Sequence, residues 1–172
     1  MKTHEDYMLD ALCLAKEAGD DLEAPVGCVI VNASGDIIGR GRNRREKQKS
    51  ATAHAEIEAI ENACKALDDW RLSGCSLYVT LEPCPMCAGA IIMSRIDKVF
   101  YGARDEITGS CGSVINLFME EYGQKTKVTG GILEAESALL LSVFFENLRS
   151  KEQLNPTSLR GATRRGNPEE LL

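Results

Sequence analysis

His54, Glu56, Cys84 and Cys87 are the residues of this chain whose types and spacing can do chemistry together. One imidazole and two thiolates three residues apart form a zinc ligand set that leaves a fourth tetrahedral position for water. Zinc lowers the pKa of that water from about 15.7 to roughly 7, so a hydrolytic nucleophile exists at neutral pH. Glu56, two residues after the histidine, then serves as acid and base and not as a ligand.

Other uses of these residues find less support. A lone Cys-x-x-Cys can be a redox pair or half of a structural zinc site. A redox pair needs a thioredoxin-like context, which nothing near residue 84 supplies. A closed site needs a second Cys or His pair, and the other histidine, His4, lies in a charged N-terminal stretch. Cys13, Cys28, Cys64, Cys75 and Cys111 are isolated and mostly flanked by apolar residues. They read as small buried hydrophobes.

Two helix starts must position these groups. Cys84 and Cys87 share a face if a helix begins here, and Pro85 suits its first turn. Helix N-terminal amides favour thiolates there. His54 and Glu56 are about 200° apart on a regular helix. The first turn must therefore meet the metal end-on, one residue ligating and the other bending over it.

Around these starts, residues 5–18 carry an amphipathic helical pattern that Gly19 ends. Val26–Val31, a turn over residues 32–36 and Ile37-Ile38 read as a β-hairpin. Residues 43–51 form a polar loop. Helices are expected from about Ala53 to Leu67, Pro85 to Ser94 and Leu133 to Arg149, and strands at Ser76–Thr80, Lys98–Tyr101 and Lys127–Thr129. Thr108–Ser113 is a glycine- and serine-rich loop. Strands alternating with helices give an α/β domain with helices on both sheet faces. Its metal lies at one end of the sheet. One domain is expected over residues 1–150, followed by a flexible basic tail over 151–172 marked by Pro156, Gly161, Gly166 and Pro168.

At 172 residues the chain can bury a real core, and its 44% hydrophobic and 27% charged content are globular values. It has no apolar run for a membrane helix and no apolar signal core. Seven cysteines, an odd count, point to reduced thiols and a cytoplasmic location. The net charge of −6 argues against nucleic acid only until its distribution is read. Arg40, Arg42, Arg44, Arg45, Lys47 and Lys49 fall within ten residues, and Arg149, Lys151, Arg160, Arg164 and Arg165 follow the last helix. These are solvated loops or a phosphate-binding patch on an acidic protein.

Several further stretches carry a family resemblance: Pro25-Val26-Gly27, Gly41-Arg42-Asn43, Thr52-Ala53-His54-Ala55-Glu56, Tyr78 through Ile91, Tyr101-Gly102-Ala103-Arg104-Asp105, Thr108-Gly109-Ser110 and Leu139–Phe145. From Pro25 to about Arg149 the chain resembles the cytidine and deoxycytidylate deaminase superfamily, and within it the tRNA adenosine deaminases. That resemblance implies a three-layer α/β/α fold on a five-stranded mixed sheet, a homodimer and one zinc per subunit. It also implies deamination of the wobble adenosine of a tRNA anticodon stem-loop to inosine, with no DNA or membrane partner.

Position by position, the resemblance implies that His54, Cys84 and Cys87 bind zinc and Glu56 shuttles protons. Asn43 would hydrogen-bond the flipped base. The Ala55 amide is a candidate donor to the tetrahedral intermediate. Arg104 and Asp105 match a loop that contacts anticodon backbone and ribose, and Phe144 and Phe145 match aromatics near the substrate. Two adjacent phenylalanines on one helix cannot both face the core. The chain departs from the family in having Ser50-Ala51 for Asp-Pro, Arg42 for tryptophan and a basic 44–49 loop without the expected proline. Rival expectations are a deaminase of free guanine, cytosine or cytidine, and a non-catalytic zinc-binding partner subunit, against which Glu56 argues.

Overall fold

Thr3 opens α1 (His4–Asp20) with a reciprocal cap: its Oγ1 accepts from Asp6 N at 3.1 Å, and Asp6 Oδ2 accepts from Thr3 N at 2.7 Å. The computed structural model describes residues 2–123 and 125–154. The part of the expected tail beyond Leu154 lies outside them. Gly19 does not end α1 as its position suggests. The helix passes through it, and Leu22 instead takes the left-handed conformation at φ 63°. Leu22 N then bonds Gly19 O and Glu23 N bonds Ala18 O, which closes the helix and turns the chain inward.

The hairpin follows as β1 (Gly27–Val31) and β2 (Ile37–Arg42). Asn32 builds its turn by accepting from Ser34 N and Asp36 N. β1 is antiparallel to both β2 and β3 (Ser76–Leu81). Next come β4 (Lys98–Ala103) and β5 (Lys127–Thr129), each parallel to its neighbour, giving the order β2-β1-β3-β4-β5. Between β2 and β3 lie α2 (Arg45–Gln48) and α3 (Ala55–Leu67), and α4 (Pro85–Met93) makes the crossover from β3 to β4. α5 (Glu134–Leu154) closes the described chain and outruns its expected end at Arg149. The four-residue α2 occupies a stretch expected to be loop, and a 3-10 turn forms at Leu117–Met119, where no element was expected.

Alternate residues of the strands serve opposite faces. Cys28, Ile30, Leu77, Val79, Val99 and Tyr101 pack with Ala55, Ala59 and Ala63 of α3 and Ile91 of α4. Val29, Val31, Tyr78 and Phe100 pack with Tyr7, Met8 and Ala11 of α1, and α5 lies across β4 on that side, with Ser137 against Gly102. The result is the expected three-layer α/β/α fold. α3 sits directly on β2. A Cβ at Gly41 would lie 2.1 Å from Ala55 O, and one at Gly39 2.3 Å from Ala59 O. Those two glycines and the alanine stripe set how closely the start of α3 meets the sheet.

Candidate metal centre

His54 precedes α3 in extended backbone, at φ −87° and ψ 156°, and is not itself helical. This resolves the 200° mismatch: the imidazole projects from the cap while Glu56, in the first turn, leans over the same end. Cys84 caps α4 in the same way, at φ −73° and ψ 172°, with Pro85 opening the helix and Cys87 in its first turn. Neither His54 nor Cys84 makes a side-chain cap hydrogen bond to its own helix.

The three side chains converge. Cys84 Sγ is 3.8 Å and Cys87 Sγ 3.5 Å from His54 Nδ1, and all three ligand atoms lie within 4.8 Å of one another. Tetrahedral zinc with ordinary Zn–S and Zn–N bonds separates its sulfur and nitrogen ligands by about 3.6 Å. The residues fit that ion. The sulfur chemistry fits too. The Cys87 thiol donates to Cys84 and holds it well below the usual thiol range, at about 4, against the opposing effect of burial. The same hydrogen bond, with burial, pushes Cys87 up.

Glu56 is 4% exposed. Burial lifts its carboxyl from 4.5 to about 7, opposed by its own backbone amide and by His54. It shares the wall of a cavity of about 190 Å³ with His54, Cys84, Ala55, Asn43 and Arg45. Asn43 is nearly buried. Its Nδ2 donates to Ala24 O at 3.4 Å, and its Oδ1 has no partner. A buried amide oxygen left unpaired beside a cavity marks a place where a ligand completes the bonding.

Asp105 also lines the cavity, but its carboxylate is engaged in its own turn, accepting from Ile107 N, Thr108 N and Thr108 Oγ1. Arg104 is exposed and is not part of that wall. Phe144 and Phe145 meet edge to face at 5.3 Å on α5, and neither is fully buried. They stay off the cavity wall; Phe144 approaches Gly19, beside the segment that supplies Ala24 and Val26 to that wall. Two carboxylates matter here that no motif marked. Glu82 lies on the wall and organises the loop after β4, and Glu23 ties α2 to the end of α1. Glu82 ends an apolar strand and falls inside the Tyr78–Ile91 stretch that carries the family resemblance, but neither signal named its role.

The family model for the cytidine and deoxycytidylate deaminase zinc-binding region matches residues 1–103. The chain is 47% identical over 154 residues to the tRNA-specific adenosine deaminase of Bacillus subtilis, covering 89% of this chain and 95% of that one. It is 42% identical over 157 residues to the tRNA-specific adenosine deaminase of Haemophilus influenzae, with 91% of each covered. A solved structure from a study of A-to-I editing by tRNA:A34 deaminases at the wobble position matches with a TM-score of 0.75 at 43% identity. It covers 78% of this chain and 98% of the other. The guanine deaminase from Nitrosomonas europaea matches with a TM-score of 0.75 at 26% identity, over 84% and 85% of the two chains. The family model spans more than half of the chain and the relatives nearly all of it, so the chain belongs to the cytidine and deoxycytidylate deaminase family.

Proposed function

We propose that this chain is a zinc-dependent hydrolase that deaminates adenosine to inosine at the wobble position of a tRNA anticodon. The observation that carries the chemistry is a buried carboxyl beside a three-ligand metal site, on the wall of one small cavity. The substrate is supported by the relatives over nearly the whole chain, which are named tRNA-specific adenosine deaminases.

His54, Cys84 and Cys87 hold the metal. Bound there, zinc supplies a Lewis acid that makes a hydrolytic nucleophile available near neutral pH. Glu56 takes a proton from the attacking water and hands it to N1 of the adenine, which makes C6 electrophilic. The water oxygen bonds to C6. Glu56 then carries the second proton to the exocyclic nitrogen, the C–N bond breaks, and ammonia leaves. A carboxyl with pKa near 7 both accepts and donates at neutral pH. The Ala55 N–H, at the start of α3, is a donor for the charge that develops on the oxygen at C6, and Asn43 hydrogen-bonds the base. An anticodon loop already splays its bases, so presenting one costs less than extracting it from a duplex.

Arg104 and Asp105 on the loop after β4, and Phe144 and Phe145 on α5, are read as contacts for RNA around the target base; the exposure of Arg104 and the position of both phenylalanines off the cavity wall support a contact to flanking nucleotides. We assign the zinc-dependent domain to residues 1–150, with α5 continuing to Leu154, and its location to the cytoplasm, which a tRNA substrate supports. No described helix is long and apolar enough to cross a membrane. The working unit is a homodimer. Met93 on α4, Met119 on the 3-10 turn packed against α4, and Val114 and Ile115 ahead of that turn are exposed apolar side chains that a second copy would cover. A monomer by sedimentation at micromolar concentration overturns that assignment.

The test is inosine formation in an anticodon stem-loop carrying adenosine at the wobble position, with free guanine, cytosine and cytidine in parallel. Inosine confined to the wobble position is expected. Ammonia from a free base, with none from RNA, overturns the substrate and keeps the chemistry. Glu56→Ala should keep one zinc per chain by metal analysis and lose about 10³-fold or more in rate. Near-normal turnover would remove Glu56 from its role.

A further inference from the structure

The basic stretch from Arg40 to Lys49 looks like one phosphate patch in the sequence, yet the structure divides it. Arg42 reaches Glu17 at 3.5 Å and Asp21 at 3.1 Å. Arg44 Nε donates to Glu58 Oε1 at 2.8 Å, and Lys47 Nζ reaches Asp21 at 3.3 Å. Three of the cations are therefore answered within the chain. Arg45 is different. It makes no ion pair among the described residues, it is exposed, and it lines the cavity that holds His54 and Glu56.

The loop that carries Arg45 is built to stay where it is. Arg44, at the cap position of α2, makes no side-chain cap. Glu23 performs that task from a distant segment. Its Oε2 accepts from Glu46 N at 3.0 Å and its Oε1 from Lys47 N at 2.7 Å, and it is 1% exposed. Both oxygens of a buried carboxylate, each in a charge-assisted bond to a backbone amide, hold the loop in one geometry. The left-handed Leu22 aims Glu23 inward from the end of α1.

We infer that Arg45 grips the RNA backbone through a phosphate next to the nucleotide that enters the cavity, and that Glu23 is the positioning residue that holds it there. This rests on the RNA reading above. A guanidinium at the mouth of a base-sized cavity has no anion to meet on a free base. On a polynucleotide the nearest anions to an inserted base are the phosphates on either side of it. The planar fork of arginine suits such an oxyanion. Lys49, exposed on the same loop but away from the cavity wall, provides the comparison.

The experiment measures binding and deamination of a fluorescent anticodon stem-loop across salt concentrations, using zinc-loaded wild type, Arg45→Gln, Lys49→Gln, Glu23→Gln and the double variant Glu23→Gln/Arg45→Gln. Arg45→Gln should raise KM about tenfold and flatten the salt dependence by roughly one phosphate contact, with kcat at saturating RNA nearly unchanged. Lys49→Gln, with the same loss of charge, should do much less. Glu23→Gln should weaken binding and flatten the salt slope, and should make the Arg45 substitution nearly silent in the double variant. A purely structural role for Glu23 would lower stability and leave the slope untouched. Wild-type activity on the stem-loop, with an unchanged KM and slope in Arg45→Gln, overturns this proposal alone. No wild-type activity on the stem-loop overturns the RNA reading, and this proposal with it.

Discussion

Glu82, two residues ahead of Cys84, commits its carboxylate to the loop that follows β4. It accepts from Asp105 N at 3.1 Å, Cys111 N at 2.8 Å and Ser113 N at 3.1 Å, and from the Ser113 hydroxyl. A Cβ at Gly109 would lie 2.6 Å from this carboxylate, so the loop wraps tightly around it. Burial pushes the carboxyl up, but the Ser113 hydroxyl and the backbone donors outweigh it and hold it below the usual 4.5. A depressed carboxyl contributes stability that is present above pH 4.5 and is lost as pH falls through the lower folded value. Glu82→Gln turns an acceptor into a donor facing donors. It should cost about 2–3 kcal/mol at pH 7 and flatten the acid limb of a stability–pH curve, read by urea melts. An acid limb identical to wild type would contradict this. His54 with Glu56 and Cys84 with Cys87 were legible as two local pairs of recognisable type, although 30 residues separate one pair from the other. Glu82 and Glu23 were not, because their partners lie 23 to 31 residues away and a carboxylate carries no mark of which distant amides it will meet.

At the scale of elements, α3 and α4 end where expected, at Leu67 and beside Ser94, whereas α1 runs past Gly19 and α5 past Arg149. Thr3 with Asp6, and Pro85 after Cys84, are local capping chemistry. The ends of α1, α3 and α4 use Leu22, Asp68 and Arg95 in the left-handed region, at φ 63°, 52° and 65°. Glycine is the residue that usually signals such a stop. In α1 the nearby glycine lies one turn too early, inside the helix, where a Cβ would come within 3.5 Å of the Pro25 side chain. A non-glycine residue in this conformation costs roughly 1 kcal/mol or more. Leu22 is 64% exposed, so little packing offsets that cost. Leu22→Gly should therefore stabilise the fold by about 0.5–1 kcal/mol, a rise of about 1–4 °C in thermal midpoint. An unchanged or lowered midpoint would show that the leucine side chain matters more than its backbone strain.

Across the whole molecule, the metal ligands come from the starts of α3 and α4, two helices that share one face of the sheet. An ion held by both joins segments that are 30 residues apart in the chain. Zinc at about 100 times its dissociation constant adds about 2.7 kcal/mol to folding. Stripping the protein with a chelator should accordingly lower the thermal midpoint by roughly 5–10 °C, restored by adding zinc. A midpoint indifferent to chelation would mean that the ion does not stabilise the fold. The strands and their alternation were readable from the chain, because period-two patterning is a local property. The order β2-β1-β3-β4-β5 was not readable from patterning, since it depends on pairings between distant segments. Among the described residues, that order leaves β2 and β5 as the borders of the sheet. β2 carries Arg40, Arg42 and two glycines, and β5 is three residues long with Lys127 at its start. Neither border offers the long, flat, apolar template along which sheets of separate molecules polymerise. Copies of this protein can crowd together without growing into fibrils edge to edge, and any specific pairing is left to its helices and loops.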